Sequence, residues 1–337
     1  MRSGLARLCY ALAVAATLQL LVAVLLIAAP PAAAQTDAAA GWPKQPIKIV
    51  IGFPPGGGND ILARAYGNKL SELLKQPVII ENKPGAAGFI AAEQVARAAP
   101  DGYTLLLGPS GTLTFAPAVY SKLPYHPQNS FEPIAILGRF PLVVAVNADL
   151  NIKTVGELVA WAKANPTKSN YGSTSPAFQL PTELFKSKTG IEAVHIPFKG
   201  SADKMTAVAN GQITFAFVDP GPTTAHVRSG RARVIATTGS QRTVEFPDVP
   251  TLAEAGIAGI DVQIFVGLLA PKGTPRAIIE HLEREVDAAS KMPDLVERLK
   301  GLSIPVSNIR SAGFAKLIAE EIPLWSAVAK AANVKLD

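Results

Sequence analysis

Residues 53–60, Phe-Pro-Pro-Gly-Gly-Gly-Asn-Asp, form the turn that decides the fold of this chain. The segment before it, Ile47–Ile51, is an apolar run typical of a short buried strand. After the turn, apolar residues recur at helical spacing from Leu62 to Leu73, until Pro77 ends the pattern. The stretch therefore predicts a strand–turn–helix unit, the building block of an α/β protein.

The three glycines of this turn allow the backbone to approach a ligand closely. The helix that starts beyond them has N–H groups without intrahelical partners, and such a helix end attracts an anion. Because the turn contains no Lys or Arg, a carboxylate bound there would be held by amides and hydroxyls. The alternative is a tight strand-to-helix turn that binds no ligand.

Beyond Trp42 the pattern of strand, loop and helix repeats, which indicates an α/β fold with mostly parallel sheets. Capping-box sequences at Thr154–Glu157 and Thr251–Glu254 predict helix starts. A final helix from about Ser311 should be kinked or split by Pro323. The expected strands are Ile47–Ile51, Val78–Glu81, Thr104–Leu107, Ile134–Leu137, Leu142–Val146, Val194–Pro197, Thr214–Val218, Arg233–Thr237 and Gln263–Ala270.

The order of these elements predicts two domains. The strand at Leu142–Val146 opens a second α/β unit, and the strand at Gln263–Ala270 returns to the first. Domain 1 is therefore expected to be discontinuous, with residues 42–142 and 264–337, and domain 2, residues 143–263, is inserted in it. Two chain crossings make a hinge, so a ligand is expected to bind between the domains.

Residues 1–34 have the pattern of a cleaved signal peptide, which predicts export to the periplasm. Arg2 and Arg7 precede a long apolar run that ends at Ala29, and small residues follow up to an expected cleavage site after Ala34. An uncleaved membrane anchor is the alternative. Cleavage removes Cys9, the only cysteine, so the mature chain has no disulfide and no Cys-ligated metal.

The charge pattern argues against a nucleic-acid surface. The formal net charge of +6 falls to +4 without Arg2 and Arg7, since residues 1–34 contain no acid. The remaining basic residues are scattered and form no run. No nucleic-acid partner is therefore expected.

Motifs of catalysis and cofactor binding are missing from the sequence. It contains no P-loop, no complete dinucleotide fingerprint and no G-x-S-x-G elbow. The histidines His126, His195, His226 and His281 are far apart and do not have metal-binding spacing. We therefore expect no enzyme, cofactor or metal; the alternative is an extracytoplasmic hydrolase that uses a loop serine, Ser110 or Ser173.

Small and hydroxyl residues follow several of the expected strands instead. They occur at residues 110–112, 198–201 and 219–221, and a similar segment at residues 171–175 follows a helix expected to end near Asn165. The four segments belong to both expected domains. Ligands of α/β proteins bind at the carboxyl ends of the strands, so these loops together favour one shared cleft. Each loop alone is also what a turn requires.

The sequence resembles the Bug-type solute receptors, the extracytoplasmic binding proteins of tripartite tricarboxylate transporters. The matching segments occur in order and cover nearly all of the mature chain. They are residues 42–60, 78–86, 100–105, 123–125, 171–173, 183–185, 197–200, 247–256 and 269–275.

The resemblance implies a two-lobed periplasmic binding protein (flytrap) fold, a small organic carboxylate as ligand and delivery to membrane permease subunits. We expect a monomer, and a ligand-sensing adaptor to a receptor kinase is a further alternative. Phe178 and Gln179 depart from the family pattern, so no particular substrate is transferred. By position, the resemblance nominates Phe53, Pro54, Gly58, Asp60, Ser110, Thr112, Ser173, Thr174, Phe198, Lys199, Gly200 and Asp219 as ligand-binding residues.

Overall fold

Two five-stranded sheets flanked by helices organise the computed structural model, which describes residues 41–56, 58–198 and 200–336. The first sheet has the strand order β2-β1-β3-β10-β4, and the second has the order β7-β6-β8-β5-β9. The expected signal peptide, Gly57 and Lys199 lie outside the described residues. The first sheet contains β1 (Ile47–Ile51), β2 (Val78–Asn82), β3 (Thr104–Pro109), β4 (Phe131–Pro141) and β10 (Gln263–Pro271); the second contains β5 (Val143–Asn147), β6 (Asn170–Ser173), β7 (Val194–Pro197), β8 (Phe215–Val218) and β9 (Ala232–Thr237).

Helices connect most of these strands. Short 3-10 turns at Ala86–Gly88 and Ala148–Leu150 and a π-helical turn at Gly111–Phe115 complete the elements. The α-helices are α1 (Gly58–Leu74), α2 (Phe89–Ala96), α3 (Ala116–Val119), α4 (Val155–Ala164), α5 (Pro176–Thr189), α6 (Ser201–Ala209), α7 (Pro220–Arg228), α8 (Arg276–Ala289), α9 (Pro293–Gly301) and α10 (Ser311–Ala331).

The α/β class and the two-sheet architecture expected from the sequence are confirmed. Each sheet is mixed: β1 pairs in parallel with β2 and β3, and β6 pairs in parallel with β7 and β8. The antiparallel pairs involve β10 in the first sheet and β5 in the second. These are the strands by which the chain enters or leaves a sheet, so the parallel expectation holds for the βαβ part of each sheet.

The chain passes from the first sheet to the second between Pro141 and Val143 and returns before Gln263. We call the part built on the first sheet, with α1–α3 and α8–α10, lobe 1; lobe 2 is the part built on the second sheet, with α4–α7. Helix α10 packs against β4 of lobe 1 and α5 of lobe 2. Its Trp325 stacks on Phe115 of lobe 1 with ring centroids 4.5 Å apart. Through its contacts with α5, this helix links the two lobes in addition to the chain crossings.

The strand β6 was not expected, because Asn170–Ser173 has no apolar run; its Gly172 is required, since a Cβ there would lie 2.6 Å from Ile213 Cδ1. Of the two outcomes expected at Pro323, a kink or a split, the split does not occur, because helix α10 continues through this residue. Pro323 and Ala319 are both exposed, so water can reach the carbonyl that loses its helical partner.

The two capping-box sequences give different structures. Thr154 and Glu157 exchange the expected bonds at the start of α4. Thr251 and Glu254 exchange the same two bonds, at 2.8 and 3.0 Å, but no helix follows. Gly256, at φ +89°, turns the backbone away after a single turn.

Candidate functional site

A cavity of about 420 Å³ lies between the two lobes. This volume suits a small ligand. Three phenylalanines, Phe53, Phe140 and Phe178, give the cavity wall a large apolar surface. Lobe 1 contributes Phe53, Gly58, Asn59, Pro109, Gly111, Phe140, Ile264, Leu302, Ser303 and Ile304, and lobe 2 contributes Ser175, Ala177, Phe178, Ser201, Asp219, Pro220, Gly221 and Pro222.

Four helix N-termini meet at this cavity. Helix α1 presents its first residues, Gly58 and Asn59, and α6 presents its first residue, Ser201. Helices α5 and α7 contribute their N-caps, Ser175 and Asp219, and the first turns that follow. The N-terminus of a helix carries partial positive charge, so the four ends together favour an anion. The unpaired N–H groups come mainly from α1 and α6, because Pro176 opens α5 and Pro220 and Pro222 lie in the first turn of α7.

Among the described lining residues, the charged side chain is the acidic Asp219. Asp219 is half-buried and accepts a hydrogen bond from Ser201 Oγ at 2.7 Å. An anionic ligand in this cavity would therefore depend on backbone dipoles and hydroxyl groups for its direct contacts, as the turn sequence predicted for lobe 1.

Asp60 holds the glycine turn in shape. Its carboxylate accepts hydrogen bonds from Gly56 N at 3.0 Å, from Asn82 Nδ2 at 2.9 Å and from Arg64 Nε at 3.0 Å. Asn82 also donates to the carbonyl of Phe53. The bond from Arg64 is the main reason that the pKa of Asp60 falls to about 2, with the Gly56 and Asn82 bonds adding to it. Asp60 is buried outside the cavity lining and positions the turn.

The glycines of the turn have different tasks. Gly56 has φ +81°, which a residue with a side chain rarely adopts, and lies beside the Asp60 carboxylate. Gly58 lines the cavity, and a Cβ placed on it would have nothing within 4 Å. Gly58 is exposed, and open space surrounds the position that its Cβ would take.

Ser110 and Thr112 lie behind the cavity wall, at the carboxyl end of β3. Both are buried; the residues on either side of Ser110, Pro109 and Gly111, line the cavity. Thr112 donates a hydrogen bond to the carbonyl of Ala87. Ser110 Oγ has no hydrogen-bond partner among the described residues.

Ser173 lies at the carboxyl end of β6 and is also buried behind the lining. Its Oγ is 2.7 Å from Nε2 of His195 on the neighbouring strand β7. The other ring nitrogen of His195 faces the Gln179 amide at 3.5 Å. Burial lowers the pKa of His195, so this pair is a contact between neutral groups at neutral pH.

The structure thus brings Phe53, Gly58 and Asp219 to one cavity, out of the twelve nominated residues. Pro54 is exposed; Thr174, Phe198 and Gly200 are half-buried near the lining, and Lys199 lies outside the described residues. Ser175 and Ser201 line the cavity although neither was nominated, and the hydroxyl-rich loops already pointed to both. Residues 302–304, which follow α9, carry no comparable sequence signal.

Within the described residues, no group of three or more His, Cys, Asp or Glu side chains is placed to hold a metal ion. Over the same residues, no helix is long and apolar enough to cross a membrane.

Comparison with known proteins identifies relatives along nearly the whole chain. The "UPF0065 protein in gbd 5'region" of Cupriavidus necator is 37% identical over 314 residues, covering 91% of this chain and 92% of the relative. Protein BugT of Bordetella pertussis is 33% identical over 301 residues, covering 88% and 91%.

Solved structures show the same fold. A Rhodopseudomonas palustris protein solved with adipate has a TM-score of 0.77 at 30% identity, covering 87% of this chain and 99% of that one. MatC from the same organism, solved with bound malate, has a TM-score of 0.74 at 30% identity, covering 85% and 99%. The periplasmic binding protein BugD matches with a TM-score of 0.74 at 32% identity, covering 87% and 99%.

The family model described as "Tripartite tricarboxylate transporter family receptor" matches residues 62–334, from α1 to the end of α10. The match begins within α1, after β1 and the glycine turn, and it includes all of lobe 2 and most of lobe 1. This chain therefore belongs to the receptor family of the tripartite tricarboxylate transporters, and its fold is that of a solute-binding protein.

Proposed function

We propose that this protein is a periplasmic receptor that captures a small organic carboxylate in the cavity and delivers it to a membrane permease. The observation that carries the proposal is the convergence of four helix N-termini from both lobes on a cavity without a basic residue in its described lining. Such a site binds an anion through backbone groups and can release it again.

The relatives support the choice of a carboxylate. Adipate and malate, bound by two R. palustris relatives, are both small dicarboxylates. In this chain the N-terminus of α1 would receive one carboxylate, while Phe53, Phe140 and Phe178 would contact the carbon skeleton. The remaining nominated residues keep their role as predicted ligand neighbours, with Asp60, Ser110, Thr112 and Ser173 supporting the wall from behind.

The two lobes would close on the ligand as a hinge, with residues 143–263 as the inserted domain. The change of sheet at Pro141–Val143 supports this division. Because α10 packs on both lobes, we expect the closing motion to be small. Small-angle scattering of the monomer should show a lower radius of gyration with saturating ligand, and an unchanged curve at proven saturation would contradict closure.

Location and delivery are testable separately. Cleavage after Ala34 predicts that intact-mass measurement of the secreted protein finds Gln35 as its first residue. Uptake of labelled ligand should require both this protein and the permease subunits. Unchanged uptake without the protein would favour the alternative of a ligand-sensing adaptor.

Ligand class is tested by thermal shift with adipate and malate, followed by calorimetry. A ligand that binds the folded state at 100 times its Kd stabilises it by about 2.7 kcal/mol, so at least one acid should raise the Tm clearly. The neutral diamide of adipate is the matched control and should have no effect. A response confined to sugars or cations would overturn the carboxylate proposal.

The hydrolase alternative has weaker support. Ser110 Oγ lacks a base as partner, and His195 beside Ser173 faces an amide at Nδ1 where a triad has a carboxylate. Turnover of an ester by the purified protein, lost in Ser173→Ala, would revive it.

A further inference from the structure

Lys204 is a fully buried lysine in helix α6, directly behind the lobe 2 wall of the cavity. Its ammonium donates a hydrogen bond to the carbonyl of Phe217 at 2.8 Å. It also lies 3.8 Å from the ring centroid of Phe178, a cation–π contact. The stem is accommodated because position 172 is glycine: a Cβ there would lie 3.1 Å from Lys204 Cγ.

The groups around this ammonium belong to the cavity wall. Phe178 and Asp219 both line the cavity, and Ser201, three residues before Lys204, binds the Asp219 carboxylate. Burial lowers the pKa of Lys204 to about 7, and the negative charge of Asp219 opposes this shift. Lys204 Nζ binds the carbonyl of Phe217, two residues before Asp219, and Ser201 on the same helix holds the Asp219 carboxylate, so the ammonium and the carboxylate belong to the same wall.

A buried ammonium is a costly way to fill space. An apolar side chain of the same length would pack behind Phe178 without the loss of hydration that an ammonium suffers. The charge of Lys204 therefore calls for an explanation beyond packing, and the adjacent Asp219 supplies one. An unpaired carboxylate in the cavity wall would repel an anionic ligand.

We propose that Lys204 is a specificity-determining positioning residue whose ammonium compensates Asp219, so that the cavity accepts carboxylates. This inference rests on the proposed function and names what sets the charge preference of the same cavity. Removing the ammonium leaves the wall with a net negative charge, and removing the Asp219 carboxylate leaves it with a net positive one. The two changes should shift affinity for an anion in opposite directions and cancel when combined.

The test is a double-mutant cycle at pH 6, where Lys204 is charged, with adipate and malate as probes. Lys204→Met should weaken binding about tenfold and Asp219→Asn should tighten it about threefold. The double variant should return to within about threefold of wild type. Lys316→Met, which removes a lysine that is 74% exposed, is the matched control and should leave the affinity unchanged. Equal weakening in Lys204→Met and in the double variant would overturn the compensation.

A second measurement needs no ligand. In protein with ¹³C-labelled lysine, the resonance absent from Lys204→Met identifies Lys204, and Asp219→Asn should lower its titration midpoint. If that midpoint moves while wild type binds no carboxylate, the charge pairing stands and the proposed function fails. If wild type binds a carboxylate while the midpoint stays and Lys204→Met binds equally well, the proposed function stands and this inference fails.

Discussion

Each lobe has an acidic and a basic side chain paired near the cavity, but the acidic member is the buried one in lobe 1 and the basic member is the buried one in lobe 2. In lobe 1 the carboxylate of Asp60 is buried away from the lining and its partner Arg64 is 46% exposed. In lobe 2 the ammonium of Lys204 is fully buried and the carboxylate of Asp219 lines the cavity. The Asp60–Arg64 pair of lobe 1 shapes a turn, whereas the Lys204–Asp219 pair of lobe 2 acts on the electrostatic potential inside the cavity.

The two lobes use the same strand–helix unit to build an anion site in two different ways. Arg64 lies one helical turn from Asp60, and water screens its charge, so little of it reaches the ligand. Lys204 is enclosed by protein, where charges interact more strongly. Geometry is therefore the contribution of lobe 1, and charge preference that of lobe 2.

The largest expected effect tests the buried charge of lobe 2. The pKa of Lys204 is about 7 in the folded protein and 10.5 ordinarily, so the unfolded chain holds more protons between these values. Burial of the charge costs most at and below pH 7, and the unfolding free energy of wild type rises with pH through this window. Lys204→Met lacks this slope.

Urea unfolding at pH 6, 8 and 10 checks the prediction. The difference in unfolding free energy between Lys204→Met and wild type should shift by about 4 kcal/mol in favour of wild type between pH 6 and pH 10. Lys316→Met provides the matched control for an exposed lysine and should show a constant difference from wild type. A constant difference for Lys204→Met as well would mean that the lysine does not titrate in this range.

The second prediction concerns the glycine turn of lobe 1. Gly58→Val should abolish measurable binding, a loss of at least about 100-fold, because the new side chain enters the cavity in front of the helix N–H groups. The Tm should change little, since a Cβ at Gly58 meets nothing within 4 Å.

Gly156→Val is the matched control for this glycine. It changes an exposed residue in the first turn of α4, whose Cβ would meet nothing closer than 3.9 Å. Calorimetry with adipate or malate should give wild-type affinity for this control. Normal binding by Gly58→Val would place the anion site elsewhere.

The glycine turn of lobe 1 could be predicted because its parts are contiguous in sequence, whereas residues 302–304 of the same lobe carry no such signal. β1, the glycine turn and α1 follow one another within residues 47–74, so apolar periodicity and glycine content were sufficient. The lobe 2 half depends on tertiary neighbours. Lys204 faces Phe178 from another helix, and the strand β6 beneath it contains no apolar run.

The same distinction explains the nominated residues. Each of the hydroxyl-rich loops contributes residues to the cavity, but which residue of each loop lines it depends on packing. Ser173 and Ser110 point behind the wall, while Ser175 and Gly111 line it. A shift of one or two residues in a turn reverses the direction of a side chain, and no local pattern encodes it.

The third prediction tests the lobe 1 pair. The pKa of Asp60 is lowered from 3.8 to about 2, so its stabilising contribution is complete above pH 4 and is lost as the pH falls towards 2. Asp60→Asn should reduce the unfolding free energy by about 2 kcal/mol at pH 6 and by less at pH 3.

Urea unfolding of both proteins at these two pH values gives the measurement. Asp294→Asn breaks an ion pair with Lys69 in which Asp294 is 66% exposed, and it should change stability much less. If Asp60→Asn lowers the unfolding free energy by as much at pH 3 as at pH 6, the charge of the carboxylate is not what holds the turn.

The smallest expected effect compares two histidines of lobe 2. The sequence assigned neither His195 nor His226 a ligand role, which predicts affinities within a few-fold of wild type for both alanine variants. In the structure His195 contacts Ser173 behind the cavity wall, whereas His226 contacts Arg231 at 3.3 Å near the far end of α7. His195→Ala should therefore weaken carboxylate binding by about two- to threefold through loss of one neutral hydrogen bond, and His226→Ala should not change it.

Calorimetry at pH 7 resolves this difference in affinity between the two variants. Loss of all binding in His195→Ala would assign the Ser173–His195 pair a direct role at the ligand, and it would strengthen the hydrolase alternative.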